Sequence, residues 1–438
     1  MTNRALLATL GLAAIGAALG ATPLAAQSLY GCTGIETRSS YASVEGDGGV
    51  FYRIDPDLRM HHPFADETAD QLAELSQALA SLGTTLIYVP VPTKALAMPD
   101  QLTQRTRDYG FDAALATTTF EQGLQKLQVR SVVTADIRRA LRAPMTEPPS
   151  FFQADYRLTT DGTRRAARAI ADAMALTPVY IDLPKGRFDT RPAGFVTLPS
   201  DMRTALQRHC LSELPLVETE TFGSTQLQAI TGGSDTIFGT GSGNGSVALL
   251  GTEVTGETAV NLAGFLAEFS GLNVFQYSVT GGGAYAAISA YLTSQQFQDT
   301  RPAFLVWTNP VENNLAQFGD QPMRELIAAA GANCRVPLRL LTAGDQTRVT
   351  ADLTVLDPSQ AYTLFVDADG AEATEARFDF LGGSGLIRSK SVFRHNDQVK
   401  TGRFFMPLTG LWSEGAQTVE IALDVPFGAG PRVTACFD

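Results

Sequence analysis

From residue 66 to residue 331 the chain alternates between two hydrophobic periods. Leu72, Leu75, Leu79 and Leu82 recur at the spacing of one helical face, with Asp66 placed to cap the start and Gly83 to end it. Thr84-Thr85-Leu86-Ile87-Tyr88-Val89 follows, a β-branched apolar run stopped by Pro90. Similar runs are Ser131-Val132-Val133, Val247-Ala248-Leu249-Leu250, Asn273-Val274-Phe275-Gln276-Tyr277 and Ala303-Phe304-Leu305-Val306-Trp307, with helical stretches such as 162–175 and 258–269 between them. Short strands that are apolar on both faces, alternating with helices, predict an α/β fold: a parallel sheet with helices on both faces. Ligands in such folds lie beyond the carboxyl ends of the strands. The residues just after Pro90, Leu250, Tyr277 and Trp307 are therefore the places to look for chemistry.

Past Cys334 the period changes. Residues 347–356, 362–366, 376–381, 403–408, 418–425 and 432–437 form short alternating runs punctuated by Gly, Asp and Pro. That spacing predicts a C-terminal β-sandwich. We expect three parts: a signal peptide over 1–26, an α/β domain over 27–334 and a β-rich domain over 335–438. A length of 438 residues suits more than one core.

The signal expectation rests on Arg4, the uncharged run 5–19 and the small residues Ala25-Ala26 before Gln27, the three parts an export signal needs. Export makes the cysteines informative. Cys32, Cys210, Cys334 and Cys436 are even in number, form no CxxC pair and favour disulfides. Four cysteines allow three connectivities, and sequence alone does not choose. Cys32–Cys210 and Cys334–Cys436 are the pairs that each bracket a compositionally distinct region.

A net charge of −12 argues against a nucleic-acid partner. Against that background the stretch 388–403 stands out. It carries Arg388, Lys390, Arg394, Lys400 and Arg403 against the single acid Asp397, with Phe393, Phe404 and Trp412 nearby. Guanidinium groups pair with carboxylates and rings stack on sugar faces, so Lys390, Arg394, Arg403 and Trp412 are candidate contacts for an acidic polysaccharide. The competing reading is a strand edge protected by its basic side chains. The glycine-rich segment 232–246 lacks the Walker pattern and precedes a strand, so it reads as a surface loop.

Several segments resemble, in order and spacing, the SGNH-hydrolase-like AlgX/AlgJ family of alginate and exopolysaccharide O-acetylation. They are Val44-Glu45-Gly46-Asp47-Gly48-Gly49-Val50-Phe51, Val89-Pro90-Val91-Pro92-Thr93-Lys94, Phe152-Gln153-Ala154-Asp155 running into Thr159 and Gly162, and Leu249-Leu250-Gly251-Thr252. Gly281-Gly282-Gly283-Ala284-Tyr285 and Arg301-Pro302 with Trp307 and Pro310 continue the series. The resemblance implies an SGNH-like fold, a periplasmic setting and a carbohydrate-binding C-terminal sandwich. It further implies an Asp-x-His pair and a nucleophilic serine. The serine takes the acetyl group, the histidine its proton, and the aspartate orients the histidine.

Here Asp155 stands at the aspartate position, Arg157 at the histidine position and Glu253 at the serine position. An arginine keeps its proton near neutral pH and is no ordinary general base. We expect Arg157 to form a charge cluster with Glu253 and Asp155 in place of the triad. The four histidines, His61, His62, His209 and His395, read as surface or structural groups, and no cluster has metal-ligand spacing, so neither metal nor cofactor is expected. The favoured function is binding of an anionic exopolysaccharide beside other periplasmic modification or secretion proteins. The alternative is an O-acetyltransferase or acetylesterase working through unconventional residues such as Thr252 or Thr255.

Overall fold

A computed structural model describes residues 28–437, apart from 145, 229–245, 332, 342–345, 383–384, 386 and 409–415. The expected signal segment, Trp412 and most of the glycine-rich segment lie outside the described residues. No helix among the described residues is long and apolar enough to cross a membrane.

Five parallel strands form the central sheet: β1 (Thr85–Val91), β2 (Val133–Thr134), β3 (Ser246–Gly251), β4 (Asn273–Ser278) and β5 (Phe304–Pro310). Their spatial order is β2-β1-β5-β3-β4. Both faces are covered, as the wholly apolar strands require. Ile87, Val89, Val247, Leu249, Phe304 and Val306 point to a layer that includes Ile170 and Phe265. Leu86, Tyr88, Ala248, Leu250, Leu305 and Trp307 point to the opposite layer with Leu72, Leu75, Leu79 and Leu326. The chain turns one way from β1 to β2 and the other way from β3 to β4, so a crevice is expected at the carboxyl ends of β1, β5 and β3.

Local chemistry adjusts several expected boundaries. Asp66 opens the helix Asp66–Ala80 from inside its first turn and makes no cap bond; there its charge favours the helix dipole. The stretch expected as one helix over 258–269 is broken at Asn261, whose left-handed backbone (φ 53°) separates the turn Thr258–Val260 from the helix Leu262–Ser270.

The antiparallel region holds two packed sheets. One contains Asn333–Pro337, Arg432–Phe437, Tyr362–Asp367 and Arg403–Pro407; the other contains Leu340–Leu341, Arg348–Asp352, Ala416–Leu423, Glu375–Gly382 and Ile387–Phe393, each in spatial order. Leu364, Val366 and Ala435 of the first meet Phe378, Val419 and Ile421 of the second, so this is the expected sandwich. The strand Ile387–Phe393 lies on the outer edge, where the competing reading of the basic stretch had put a strand edge. Both expected disulfides are present, Cys32–Cys210 and Cys334–Cys436, the latter joining two directly opposed strand residues.

Candidate active site

The site is built on two strand ends. After β1, Thr93 caps the single-turn helix Lys94–Ala97 by accepting the Leu96 N–H, which sends the Lys94 side chain inward. Lys94 is 1% exposed, and its Nζ donates to the carbonyls of Phe152 (2.5 Å), Gln153 (2.9 Å) and Asp155 (2.9 Å). Burial pulls its pKa down to about 7 against the opposing pull of Asp57 and Asp155. The lysine thereby fastens the loop carrying Asp155. The far end of that loop is closed by Phe152 N–H donating to the Arg157 carbonyl, and by Thr159, which caps the helix Thr160–Ala175 through the Gly162 N–H. Gly162 is required because a Cβ would run into the Ser150 backbone.

After β3 the chain turns at Gly251 into the single-turn helix Glu253–Gly256. A side chain at Gly251 would collide with the hydroxyls of Thr308 and Thr255, which bond each other across the sheet. Thr252 Oγ1 is buried and has no partner among the described residues.

Arg157 closes on Asp155 with two parallel bonds, Nε to Oδ1 and Nη2 to Oδ2, both 3.0 Å. Its backbone N–H adds a third at 2.8 Å to Oδ1. Asp155 is 2% exposed, so the pairing compensates a buried carboxylate. The second acid on the guanidinium is Glu257, 3.0 Å from Nη1, and Nη2 also donates to the Pro199 carbonyl at 2.6 Å. Burial alone would lower the Arg157 pKa, but the bonds and charges of Asp155 and Glu257 outweigh it and raise it above the ordinary value. The expected cluster is thus half correct: Arg157 pairs with Asp155, but Glu257 takes the place foreseen for Glu253. Glu257 lies one helical turn beyond Glu253, and the turn that begins at Glu253 presents it to the arginine. Glu253 itself makes no ion pair or side-chain hydrogen bond among the described residues, and its charge acts on the Tyr156 phenol, which burial pushes up to about 12.

A second ionic group adjoins this one. Arg53 bonds Asp57 at 2.9 Å and Glu312, just past β5, at 3.1 Å, and stacks 4.4 Å over the Tyr156 ring. Burial raises the Glu312 carboxyl pKa despite the arginine beside it. Sequence reasoning missed this group and the anchoring role of Lys94; for Lys94, its place in the Val-Pro-Val-Pro-Thr-Lys segment was the available signal.

None of the four histidines makes a hydrogen bond or ion pair with Asp155, Arg157 or Glu253 among the described residues. Ser246 lies at the amino end of β3, the wrong end for the site.

The basic stretch divides. Lys390 is exposed and unpaired among the described residues, and Phe393 is 70% exposed. Arg394 instead is buried in an ion pair with Glu325 across the junction to the α/β region, and Arg403 is held by Asp367 at 3.5 Å and by Gln295. Of the three basic candidates, Lys390 presents its charge to solvent; the other two guanidinium groups are engaged by protein partners.

Comparison with known proteins gives the context. The chain is 28% identical over 274 residues to the alginate biosynthesis protein AlgX of Pseudomonas aeruginosa, covering 63% of this chain and 56% of that one. It is 26% identical over 329 residues to AlgX of Azotobacter vinelandii, covering 74% and 64%. It is 26% identical over 237 residues to a probable alginate O-acetylase AlgJ of Pseudomonas fluorescens, covering 53% and 58%. The matched segments therefore span less than two thirds of the length of these curated relatives. Among solved structures, Pseudomonas aeruginosa AlgX superposes with a TM-score of 0.75 at 22% identity, over 90% of this chain and 94% of that one. The O-acetyltransferase domain of Pseudomonas putida AlgJ gives 0.51 at 20% identity, over 66% and 99%. Both show the same fold. The model of the SGNH hydrolase-like domain of acetyltransferase AlgX matches residues 44–311, more than half of the chain, and the protein belongs to that family.

Proposed function

We propose that this protein acts in the modification or export of an acidic exopolysaccharide, in the periplasm, as a polysaccharide-binding member of its family whose acyl-transfer site has become an ion-paired structural element. The observation that carries this reading is the guanidinium of Arg157, held by Asp155 and Glu257. Acyl transfer of the serine type needs a group that takes a proton from the attacking hydroxyl, and a paired arginine keeps its own. The relatives named for alginate biosynthesis and alginate O-acetylation support the choice of an anionic polymer. Lys390 and Phe393 on the exposed edge strand are the first contacts to test, followed by Trp412. Other proteins of the same modification or secretion step are the partners this reading implies.

The test is retention of the purified protein on immobilised polyuronate against a neutral glucan. We expect retention on the polyuronate alone, reduced at least fivefold by the pair Lys390→Ala/Phe393→Ala and weakened by salt. Equal retention on both matrices, or no change in the variant, would overturn the reading.

Thr252 supports a second reading, an O-acetyltransferase or acetylesterase with unconventional residues, because its unpartnered hydroxyl follows β3 directly. That hydroxyl is buried and has no base bonded to it among the described residues, so this reading is the weaker.

A further inference from the structure

A separate cavity of about 80 Å³ opens at the carboxyl ends of β1 and β5, beside Thr93 and Leu96 that flank Lys94, and none of Asp155, Arg157, Glu253 or Glu257 lines it. Its wall is mostly apolar, with Leu96, Phe120, Leu124 and Leu127 among the lining side chains. A dry cavity of about 150 Å³ accepts benzene, so this one suits roughly three non-hydrogen atoms, with any further atom at its mouth.

Its polar groups are unusual in what they leave unpaired. Asn309 is 2% exposed; its Nδ2 donates to the Tyr88 hydroxyl at 3.1 Å and to the Asn313 carbonyl at 3.4 Å, which fixes the amide and leaves Oδ1 buried without a donor. Tyr88 accepts that bond, and its own O–H finds no acceptor among the described residues. His62 lines the same cavity with a buried, unpartnered Nε2. Burial and the charge of Arg59 hold the imidazole pKa down to about 4, so the ring is neutral near pH 7. Unpaired polar atoms at such sites each cost free energy that a ligand supplying the missing bonds recovers.

We propose that this cavity is a subsite for an acetamido group, as carried by an N-acetylated amino sugar. A secondary amide offers a donor and an acceptor, as a hydroxyl does, but adds a methyl for the apolar wall: its N–H meets Asn309 Oδ1 and its carbonyl accepts from Tyr88, while the methyl lies among the leucines. A carboxylate would bring a second acceptor to Asn309 Oδ1, and the guanidinium on the cavity wall, Arg59, is already paired with Asp55; an acetyl ester would leave Oδ1 unpaired. The inference is independent of the acidic-polymer reading, since it concerns a neutral substituent and different residues.

Saturation-transfer NMR on the full chain with N-acetylglucosamine, glucose and acetate tests it. We expect transfer to the acetamido methyl of N-acetylglucosamine and none above background for glucose or acetate. Gly123 lies on the cavity wall, and a Cβ built there meets nothing within 4 Å, so Gly123→Leu fills the space without displacing the fold. That variant should abolish the signal, and Tyr88→Phe should weaken binding about tenfold. Equal transfer to glucose, an unreduced signal in a folded Gly123→Leu variant, or no signal in the natural protein would each overturn the proposal; the last would mean that water alone fills the cavity.

Discussion

Arg394 and Glu325 meet across the junction of the sandwich and the α/β region through two parallel bonds of 2.8 and 2.5 Å, each side chain only 3% exposed. Both ends carry further bonds: Arg394 Nη2 donates to the Arg403 carbonyl, and Glu325 accepts the Phe405 N–H. The geometry explains why an arginine that reads as a ligand contact in sequence is occupied in the fold. The acid is carried by the helix Gln321–Gly331, which packs on the strand Arg403–Pro407.

Removing one partner of such a pair strands a buried charge, at a cost of about 3–5 kcal/mol. Arg394→Met should therefore lower the urea midpoint markedly. Adding Glu325→Leu to it should restore most of the loss, because an apolar pair of similar volume needs no solvation. A single variant as stable as the natural protein would refute the assignment.

Lys94 predicts a pH dependence. Its folded pKa of about 7 lies below the ordinary lysine value of 10.5, so between these limits the unfolded chain binds the extra proton. Stability contributed by this group rises with pH across that window; the burial penalty is full below pH 7 and is relieved above it. Unfolding free energies at pH 7, 8 and 9 should climb more steeply in the natural protein than in Lys94→Met. Equal slopes would show that the amine does not titrate in that range.

The Cys334–Cys436 bridge joins strand residues 102 positions apart in sequence. Cross-links of that span restrict the unfolded chain and contribute roughly 2–5 kcal/mol. Cys334→Ser/Cys436→Ser should lower the melting temperature and make the sandwich the first region cut in limited proteolysis. Cleavage starting instead in the segment between Tyr30 and Tyr41, beside the intact Cys32–Cys210 bridge, would refute this role for Cys334–Cys436.

How much of this was legible follows from the range of each signal. The leucines of the helix Asp66–Ala80 and the apolar runs of β1, β3 and β5 announce themselves because burial on one face or two imposes a short period on the chain. That residue 157 is an arginine and residue 253 a glutamate is equally readable, a matter of identity at a position; that these are the places of a histidine and a serine is what the resemblance implies. Glu257 was not, because choosing it over Glu253 depends on which side of one helical turn faces the arginine. The Arg53–Asp57–Glu312 group joins residues 259 positions apart, and nothing local in either segment marks it. Arg394 misled for the same reason: a basic residue in a basic stretch has the same sequence signature whether it faces solvent or Glu325.

The pairing of Arg157 with Asp155 carries the last prediction. Asp155 is nearly inaccessible, and the two bonds from one guanidinium together with the backbone N–H occupy both of its oxygens. Neither Asp155 nor the protonated Arg157 can then take a proton from an attacking hydroxyl, and Glu253 bonds no hydroxyl among the described residues, so the natural protein given an activated acetyl ester and acidic oligosaccharides should yield no acetylated product above the uncatalysed rate. Arg157→Ala should also yield none, while losing about 3 kcal/mol of stability by leaving the buried carboxylate unpaired. Arg157→His with Glu253→Ser returns an imidazole to Asp155 and a hydroxyl to the turn after β3. Acetylated product from this double variant alone, read by mass, would show that the fold still positions those two places for transfer. Product from the natural protein would instead direct attention to Thr252, and Thr252→Val would then have to abolish it.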